Sequence, residues 1–311
     1  MTTTSDGATG GRGLAIERAL VALDGLSVGD ALGEQFFTNA SVAMIVRRMI
    51  PNGSWWTTDD TEMGIALTDV LERNGTVDQD ELARTFAARY ARDPARGYGG
   101  GAVRLLKGIN EGAAWRALAE VIFKGGSYGN GSAMRVAPLG AYFADQSDDV
   151  VIEQASLSAR VTHMHPEGVA GAVAVALAAA YAWRTRNQDG PSGGEPYAML
   201  RWVHERTPTG LVRDGLAKAL DLAPSSTVGF AASVLGNGAY ISAQDTVPFC
   251  LWVASQWVGD YEEAFWHTVE ALGDRDTTCA IVGGIVASRV GREGIPSAWL
   301  AAREPLVRGV R

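Results

Sequence analysis

Apolar residues recur at intervals of three and four along nearly the whole chain, while the strict alternation that would mark a half-buried strand is almost absent. Leu14, Ala15, Ala19, Leu20 and Leu23 fall on one helical face, as do Met63, Ala66, Leu67, Val70 and Leu71, and then Leu82, Phe86 and Tyr90. Punctuation agrees with the period. Gly75 follows the second run where a left-handed cap belongs, Pro94 follows the third, and Pro166 stands where the first turn of an alanine-rich helix begins. Further helices are expected over Ser132–Phe143, Asp148–Thr162, Pro166–Arg184, Tyr197–Arg206, Val212–Leu222, Thr246–Val258, Glu262–Leu272 and Thr277–Val290. Asn187–Glu195 (NQDGPSGGE) reads as a surface loop, because similar helices lie on both sides of it. The expectation is one all-α domain over residues 14–311, preceded by a flexible tail at residues 1–13, whose small polar residues lack the apolar core of a signal peptide.

A chain of 311 residues that is 47% hydrophobic can bury a large core without help from cross-links. Cys250 and Cys279 alone cannot make a disulfide framework and are expected as buried thiols. The longest apolar run, Val169 to Trp183, is shorter than the roughly 18 residues of a membrane span and is expected to be a core helix. A net charge of −8, with no cluster of Lys and Arg among aromatics, argues against a nucleic-acid-binding surface. An anionic ligand must then be held locally, by metal ions, helix N-termini or backbone N–H groups. A cytoplasmic monomer with no membrane association is expected.

Two short stretches carry chemistry. TTDDTEM places Asp59 and Asp60 at a helix start, where capping alone would explain one carboxylate on free N–H groups and one on the helix dipole. More than 200 residues later, GDRDTTCAIVGG puts Asp274, Asp276 and Thr277 before another apolar helix. If the two helix starts converge, four carboxylates meet, and such a cluster cannot stay ionised without cations. Hard divalent ions suit oxygen donors, whereas four histidines without HExxH or paired cysteines do not make a zinc site. The DDxxD motif of all-α isoprenoid synthases is not matched, because DDTEM lacks its third carboxylate.

The chain resembles the ADP-ribosylglycohydrolases through separated motifs in family order: GLSVGDALG (Gly25–Gly33), TTDDTEM (Thr57–Met63), RGYGGGAV (Arg96–Val103), GSYGNGSAMRVAPLG (Gly126–Gly140) with THMHPEG (Thr162–Gly168), and GDRDTTCAIVGG (Gly273–Gly284). The resemblance implies a compact orthogonal helical bundle that releases ADP-ribose from a modified protein or small molecule. It implies a site for two Mg²⁺ ions, with Mn²⁺ as an alternative, on Thr58, Asp59, Asp60, Asp274, Asp276 and Thr277. It places Gly99, Gly100, Gly101, Gly126, Ser127, Tyr128, Gly129, Asn130 and His163 against the ADP-ribose, and leaves His165 to cap the helix at Pro166. The sequence departs from the pattern twice. Phe37 stands where several members carry a catalytic glutamate, so Glu34, three residues earlier, or Asp59, Asp60 and Asp276 must supply the acid–base chemistry. Arg275 replaces a small residue between the two C-terminal aspartates and either points outward or pairs with an acid. A relative that binds ADP-ribose without cleaving it, or a crystallin-like structural relative, is the alternative.

Overall fold

The computed structural model describes residues 6–38, 41–188 and 197–309. The helices are α1 (Asp6–Glu34), α2 (Ser41–Val46), α3 (Asp59–Asn74), α4 (Gln79–Arg92), α5 (Gly100–Asn110), α6 (Trp115–Val121), α7 (Ala137–Tyr142) and α8 (Asp148–Arg160). They continue as α9 (Pro166–Arg184), α10 (Ala198–Arg206), α11 (Leu211–Asp221), α12 (Val228–Leu235), α13 (Ala243–Gln256), α14 (Tyr261–Val269), α15 (Arg275–Val290) and α16 (Ser297–Ala302). Among the described residues β pairing is limited to isolated bridges, Trp55 with Arg303 and Gly129 with Ser242. The all-α expectation holds.

Local chemistry sets many helix ends. Gly75 takes φ +74° and its N–H closes α3 on Leu71 O, a conformation that costs glycine no Cβ clash. Pro166 opens α9, and His165 Nδ1 accepts from the Glu167 N–H at 3.1 Å. The helix expected over Ser132–Phe143 is shorter, because Pro138 sits in the first turn of α7 and a proline begins a helix more readily than it continues one. A 3-10 turn, Asn130–Ser132, precedes it. The expected tail is also corrected in part: α1 takes in residues 6–13, while residues 1–5 lie outside the described residues. Most of the Asn187–Glu195 loop lies outside them too.

α9 is the central helix. Gly168 to Ala180 are all buried, against α7, α8, α10, α13 and α15. At 19 residues it is long and apolar enough to cross a membrane by length and composition, yet 83% of its most apolar window is buried inside the fold. Packing accounts for its hydrophobicity. Cys250 and Cys279 are free and buried, as expected.

The contact that positions the site is α1 against α15. An added Cβ would lie 2.3 Å from Gly283 O at Gly25, 2.1 Å from Cys279 O at Gly29, and 2.5 Å from Arg275 O at Gly33. Steps of four on both antiparallel helices let the two backbones touch, which only residues without Cβ permit. Gly33 and Glu34, at the C-terminal end of α1, are thereby set beside the first turn of α15. Glu34 is the last helical residue of α1 rather than part of a loop.

Candidate active site

Asp30 lies on the buried face of α1 and joins that helix to the start of α3. Its carboxylate accepts from the Thr58 N–H at 2.9 Å, Thr58 Oγ1 at 2.8 Å, the Thr61 N–H at 3.2 Å and Thr61 Oγ1. Thr58, not an aspartate, is the N-cap of α3, its Oγ1 accepting from the Asp60 N–H. Neither paired aspartate is therefore the cap, although both stand in the first turn where the helix dipole favours an acid. Asp59 and Asp60 occupy the first turn with their carboxylates free of that duty, and Asp274, the N-cap of α15, makes no side-chain capping bond either.

The two sequence-distant acidic runs do converge. One oxygen each from Asp30, Asp60 and Asp276 lie within 4.8 Å of one another. Asp60 Oδ1 and Asp276 Oδ1 are buried without any hydrogen-bond partner. An orphaned buried carboxylate oxygen is costly, and a third carboxylate, that of Asp30, so close to the two orphaned ones adds repulsion. Burial first, and neighbouring carboxylates second, push the Asp59 and Asp60 carboxyls well above their ordinary value. Burial followed by the Asp276 charge raises Asp274 to about 7. Burial and then Asp30 raise Asp276 to about 6. Burial lifts Asp30 to about 6 against the opposing hydrogen bonds from Thr61 and Thr58. Orphaned oxygens on hard donors, with no histidine or cysteine in the group, fit a Mg²⁺-type cation. Asp30 has most of its lone pairs committed to the two threonines and so holds the start of α3 against α1.

Beside the cluster opens a cavity of about 430 Å³. Asp59, Asp60, Asp274, Asp276 and Thr277 line it, as do Gly99–Gly101 and Ser127–Gly131. Asn130 Nδ2 donates to Asp274 Oδ2 at 2.7 Å, tying the Ser127–Gly131 wall to the acidic cluster. A Cβ at Gly99 or Gly100 would meet nothing within 4 Å, so neither glycine is explained by packing. Gly101 is different, because its Cβ would strike the Phe123 ring at 2.5 Å. Phe123, Tyr128, Tyr240 and Ile241 line the cavity while 42%, 51%, 84% and 65% exposed, which gives it an apolar, partly aromatic rim.

His163 is half-buried in the cavity wall. Arg135 Nη2 donates to Thr162 Oγ1 at 2.9 Å, and Thr162 Oγ1 stands 2.6 Å from His163 Nδ1. A neutral imidazole with its proton on Nε2 lets Nδ1 accept the Thr162 hydroxyl proton while that hydroxyl accepts from Arg135. Nε2 faces Gly129 and Gly131, where an added Cβ would lie 3.2 and 3.3 Å from it. Burial and the Arg135 charge lower the imidazole to about 3, which keeps it neutral. Arg135 is itself fully buried, its guanidinium 4.6 Å from the Phe86 ring, and burial lowers it to about 9.

Placement differs from expectation at four positions. Thr58 lies outside the cavity lining, its Oγ1 donating to Asp30 Oδ1 and accepting from the Asp60 N–H. Gly126 does not line the cavity; it has φ +87° and packs on Met164 and His165, where a Cβ would come within 2.6 Å of the His165 nitrogen. Glu34 lies outside the cavity lining, although burial and the Asp274 charge raise its carboxyl. Arg275 turns to its fellow departure: its guanidinium lies 4.7 Å from the Phe37 ring and Nη1 donates to Phe36 O at 3.0 Å. Sequence reasoning missed Asp30, Arg135, Thr162 and Phe123. Asp30, Arg135 and Thr162 sat inside quoted motifs; for Asp30 the available signal was a charge in the apolar Gly25–Gly33 stretch of α1, and Arg135 and Thr162, in turns between helices, carried none.

The family model for ADP-ribosylglycohydrolase matches residues 13–309. The chain belongs to the ADP-ribosylglycohydrolase family. Human ADP-ribosylhydrolase ARH3 is 30% identical over 274 residues, 78% of this chain and 73% of the relative. The Rhodospirillum rubrum ADP-ribosyl-(dinitrogen reductase) glycohydrolase is 29% identical over 92% of this chain and 90% of its own. A solved chain described as part of an ADP-ribosylglycohydrolase-related protein complex superposes with a TM-score of 0.63 over 94% of both chains at 24% identity, which shows the common fold. Within the ADP-ribosylglycohydrolases, hydrolases of glycosidic bonds, the buried acidic cluster of this chain is the place where a metal ion fits.

Proposed function

We propose that this ADP-ribosylglycohydrolase hydrolyses the bond between C1″ of ADP-ribose and an acceptor on a protein or small molecule, acting as a metal-dependent monomer. What carries the reading is the pair of orphaned oxygens, Asp60 Oδ1 and Asp276 Oδ1, brought together at a cavity whose walls suit a nucleotide. Thr58, Asp59, Asp60, Asp274, Asp276 and Thr277 are the residues assigned to the cations. Two ions, Mg²⁺ or alternatively Mn²⁺, would supply positive charge that grips the ribose hydroxyls and favours an oxocarbenium-like transition state.

The remaining residues act on the rest of the ligand. The Gly99 and Gly100 backbone at the N-terminus of α5 offers close approach and free N–H groups to a diphosphate. Ser127, Tyr128, Gly129 and Asn130, which also line the cavity, would contact the diphosphate and distal ribose, and His163 would donate an Nε2–H to a ligand oxygen. Phe123 and Tyr128 present aromatic faces to a flat heterocycle. In the reaction a bond forms between water oxygen and C1″ while the bond from C1″ to the acceptor breaks, and the acceptor leaves with a proton. Glu34, with its carboxyl raised beside Asp274, is the group assigned to proton transfer in place of the absent family glutamate at Phe37.

The test is release of free ADP-ribose from a panel of N-linked and O-linked acceptors, with and without EDTA. Turnover abolished by EDTA and by Asp276→Ala in a folded protein supports the proposal. Full activity of that variant would overturn it. Tight ADP-ribose binding with no turnover on any acceptor would favour the non-cleaving alternative, to which the Phe37 ring, 47% exposed and carrying no acid, lends its one specific observation.

A further inference from the structure

The loop that delivers Thr58 and Asp59 is tied to a segment almost at the other end of the chain. The Trp55 N–H donates to Ala302 O at 2.8 Å, and Trp55 O accepts from the Glu304 N–H at 2.9 Å. The Thr57 N–H and Thr57 Oγ1 both donate to Glu304 Oε1, at 2.7 and 2.8 Å. Arg96 pairs with the same carboxylate through Nη1 and Nη2, and Nη1 also donates to Thr57 O at 2.8 Å. The Arg96 carbonyl then accepts the Asp59 N–H at 2.7 Å. One carboxylate thus holds residue 57 directly and residue 59 through a single intermediary.

The segment carrying Glu304 is fixed beyond it as well. Arg89 donates to Val307 O at 3.1 Å, Arg308 Nε donates to Asp69 Oδ1 at 2.9 Å, and the Gly309 N–H donates to Asp69 Oδ2 at 2.7 Å. Residues 303–309 have no helix of their own, so these bonds to α3 and α4 are what give them a shape. Burial disfavours the charged Glu304 carboxylate, yet the Arg96 and Thr57 hydrogen bonds outweigh it and hold the carboxyl below its ordinary value. Glu304, Arg96 and Thr57 do not line the cavity.

We propose that Glu304 is a positioning residue for the metal site: together with Arg96 it fixes the Thr57–Asp59 backbone, and its removal weakens divalent-cation binding without unfolding the domain. The inference rests on the reading that the acidic cluster binds such a cation. An extended backbone leading into a ligand-bearing turn has few bonds of its own, and outer partners of ligands are worth about 10- to 100-fold in metal affinity.

The experiment is a calorimetric titration of Mn²⁺ into the metal-free full chain, with melting temperature and far-ultraviolet dichroism recorded for each variant. Glu304→Ala is expected to weaken binding by about tenfold or more with its helical dichroism retained. Glu304→Gln keeps an oxygen for Thr57 but loses the ion pair with Arg96, and is expected to weaken binding by less than Glu304→Ala does. Arg308→Ala removes the far anchor alone and is expected to lower the melting temperature with Mn²⁺ affinity unchanged. Equal Mn²⁺ affinity in wild type and folded Glu304→Ala overturns the proposal while leaving the metal reading intact. If Glu304→Ala does not fold, unchanged affinity in Glu304→Gln overturns it. Failure of the wild type to bind Mn²⁺ overturns the metal reading and this inference together.

Discussion

Replacing Asp276 by asparagine is expected to make the metal-free protein more stable and the metal-loaded protein no more stable than that. Oxygens of Asp30, Asp60 and Asp276 lie within 4.8 Å of one another, and two ionised carboxylates at that separation repel by about 3.5 kcal/mol at an effective dielectric constant of 20. Burial, ahead of the Asp30 charge, raises the Asp276 carboxyl from 3.8 to about 6, which corresponds to about 3 kcal/mol against the charged form. Asparagine keeps the shape and removes the charge, so at pH 8 in EDTA the variant should gain up to about 3 kcal/mol, or about 5 °C in a chain of this length. Saturating Mg²⁺, at about 100 times its dissociation constant, should stabilise the wild type by about 2.7 kcal/mol and the variant by much less. Scanning calorimetry of both proteins in EDTA and in Mg²⁺ reads this directly. An asparagine variant that melts below wild type in EDTA, or gains as much from Mg²⁺, would refute the reasoning.

Other consequences follow from the same geometry. The folded protein holds the protons of Asp30, Asp274 and Asp276 to higher pH than the unfolded chain does, so the contribution of these three groups to metal-free stability is fully present below about pH 4 and is lost as pH rises through about 6 to 7; urea denaturation in EDTA, comparing wild type with Asp276→Asn across that range, checks the sign. Gly99→Ala should fold normally, since its Cβ meets nothing, yet lose about tenfold in ADP-ribose affinity by calorimetry as the methyl occupies the backbone's approach to the diphosphate. Thr162→Val removes the hydroxyl that fixes the His163 tautomer and should weaken ADP-ribose binding, with the loss of the Nε2–H form visible by nitrogen NMR; in the wild type, His163 should add no pH dependence between pH 5 and 8. Glu34→Gln should lower kcat by about 10²- to 10⁴-fold with little change in Mg²⁺ affinity.

What could be read from the sequence was what local chemistry determines. The helical period, the Gly75 and Pro166 boundaries and the His165 cap depend on residues within one or two turns, and all stand in the structure. Helices of six to eight residues, α2, α6, α12 and α16, are too short for a period to emerge and were missed. The two acidic runs were legible because each precedes an apolar helix, but their meeting is a tertiary fact set by the Gly25, Gly29 and Gly33 ladder against α15. Asp30 was missed for the opposite reason to Asp59: it stands mid-helix, where a lone acid ordinarily faces water. Gly99 and Gly101 look alike in sequence and differ only in the presence of the Phe123 ring. Nothing near Glu304 announces that it grips Thr57, 247 residues away.

The central claim is that aspartates from α3 and α15 share divalent ions. The most direct measurement is anomalous diffraction from crystals of the protein equilibrated with Mn²⁺. Two peaks are expected, each within oxygen-ligand distance of carboxylates from both helices, with Asp60 Oδ1 and Asp276 Oδ1 among the donors. Absence of density between those two side chains at saturating Mn²⁺, or ions held only at the protein surface, would contradict the account.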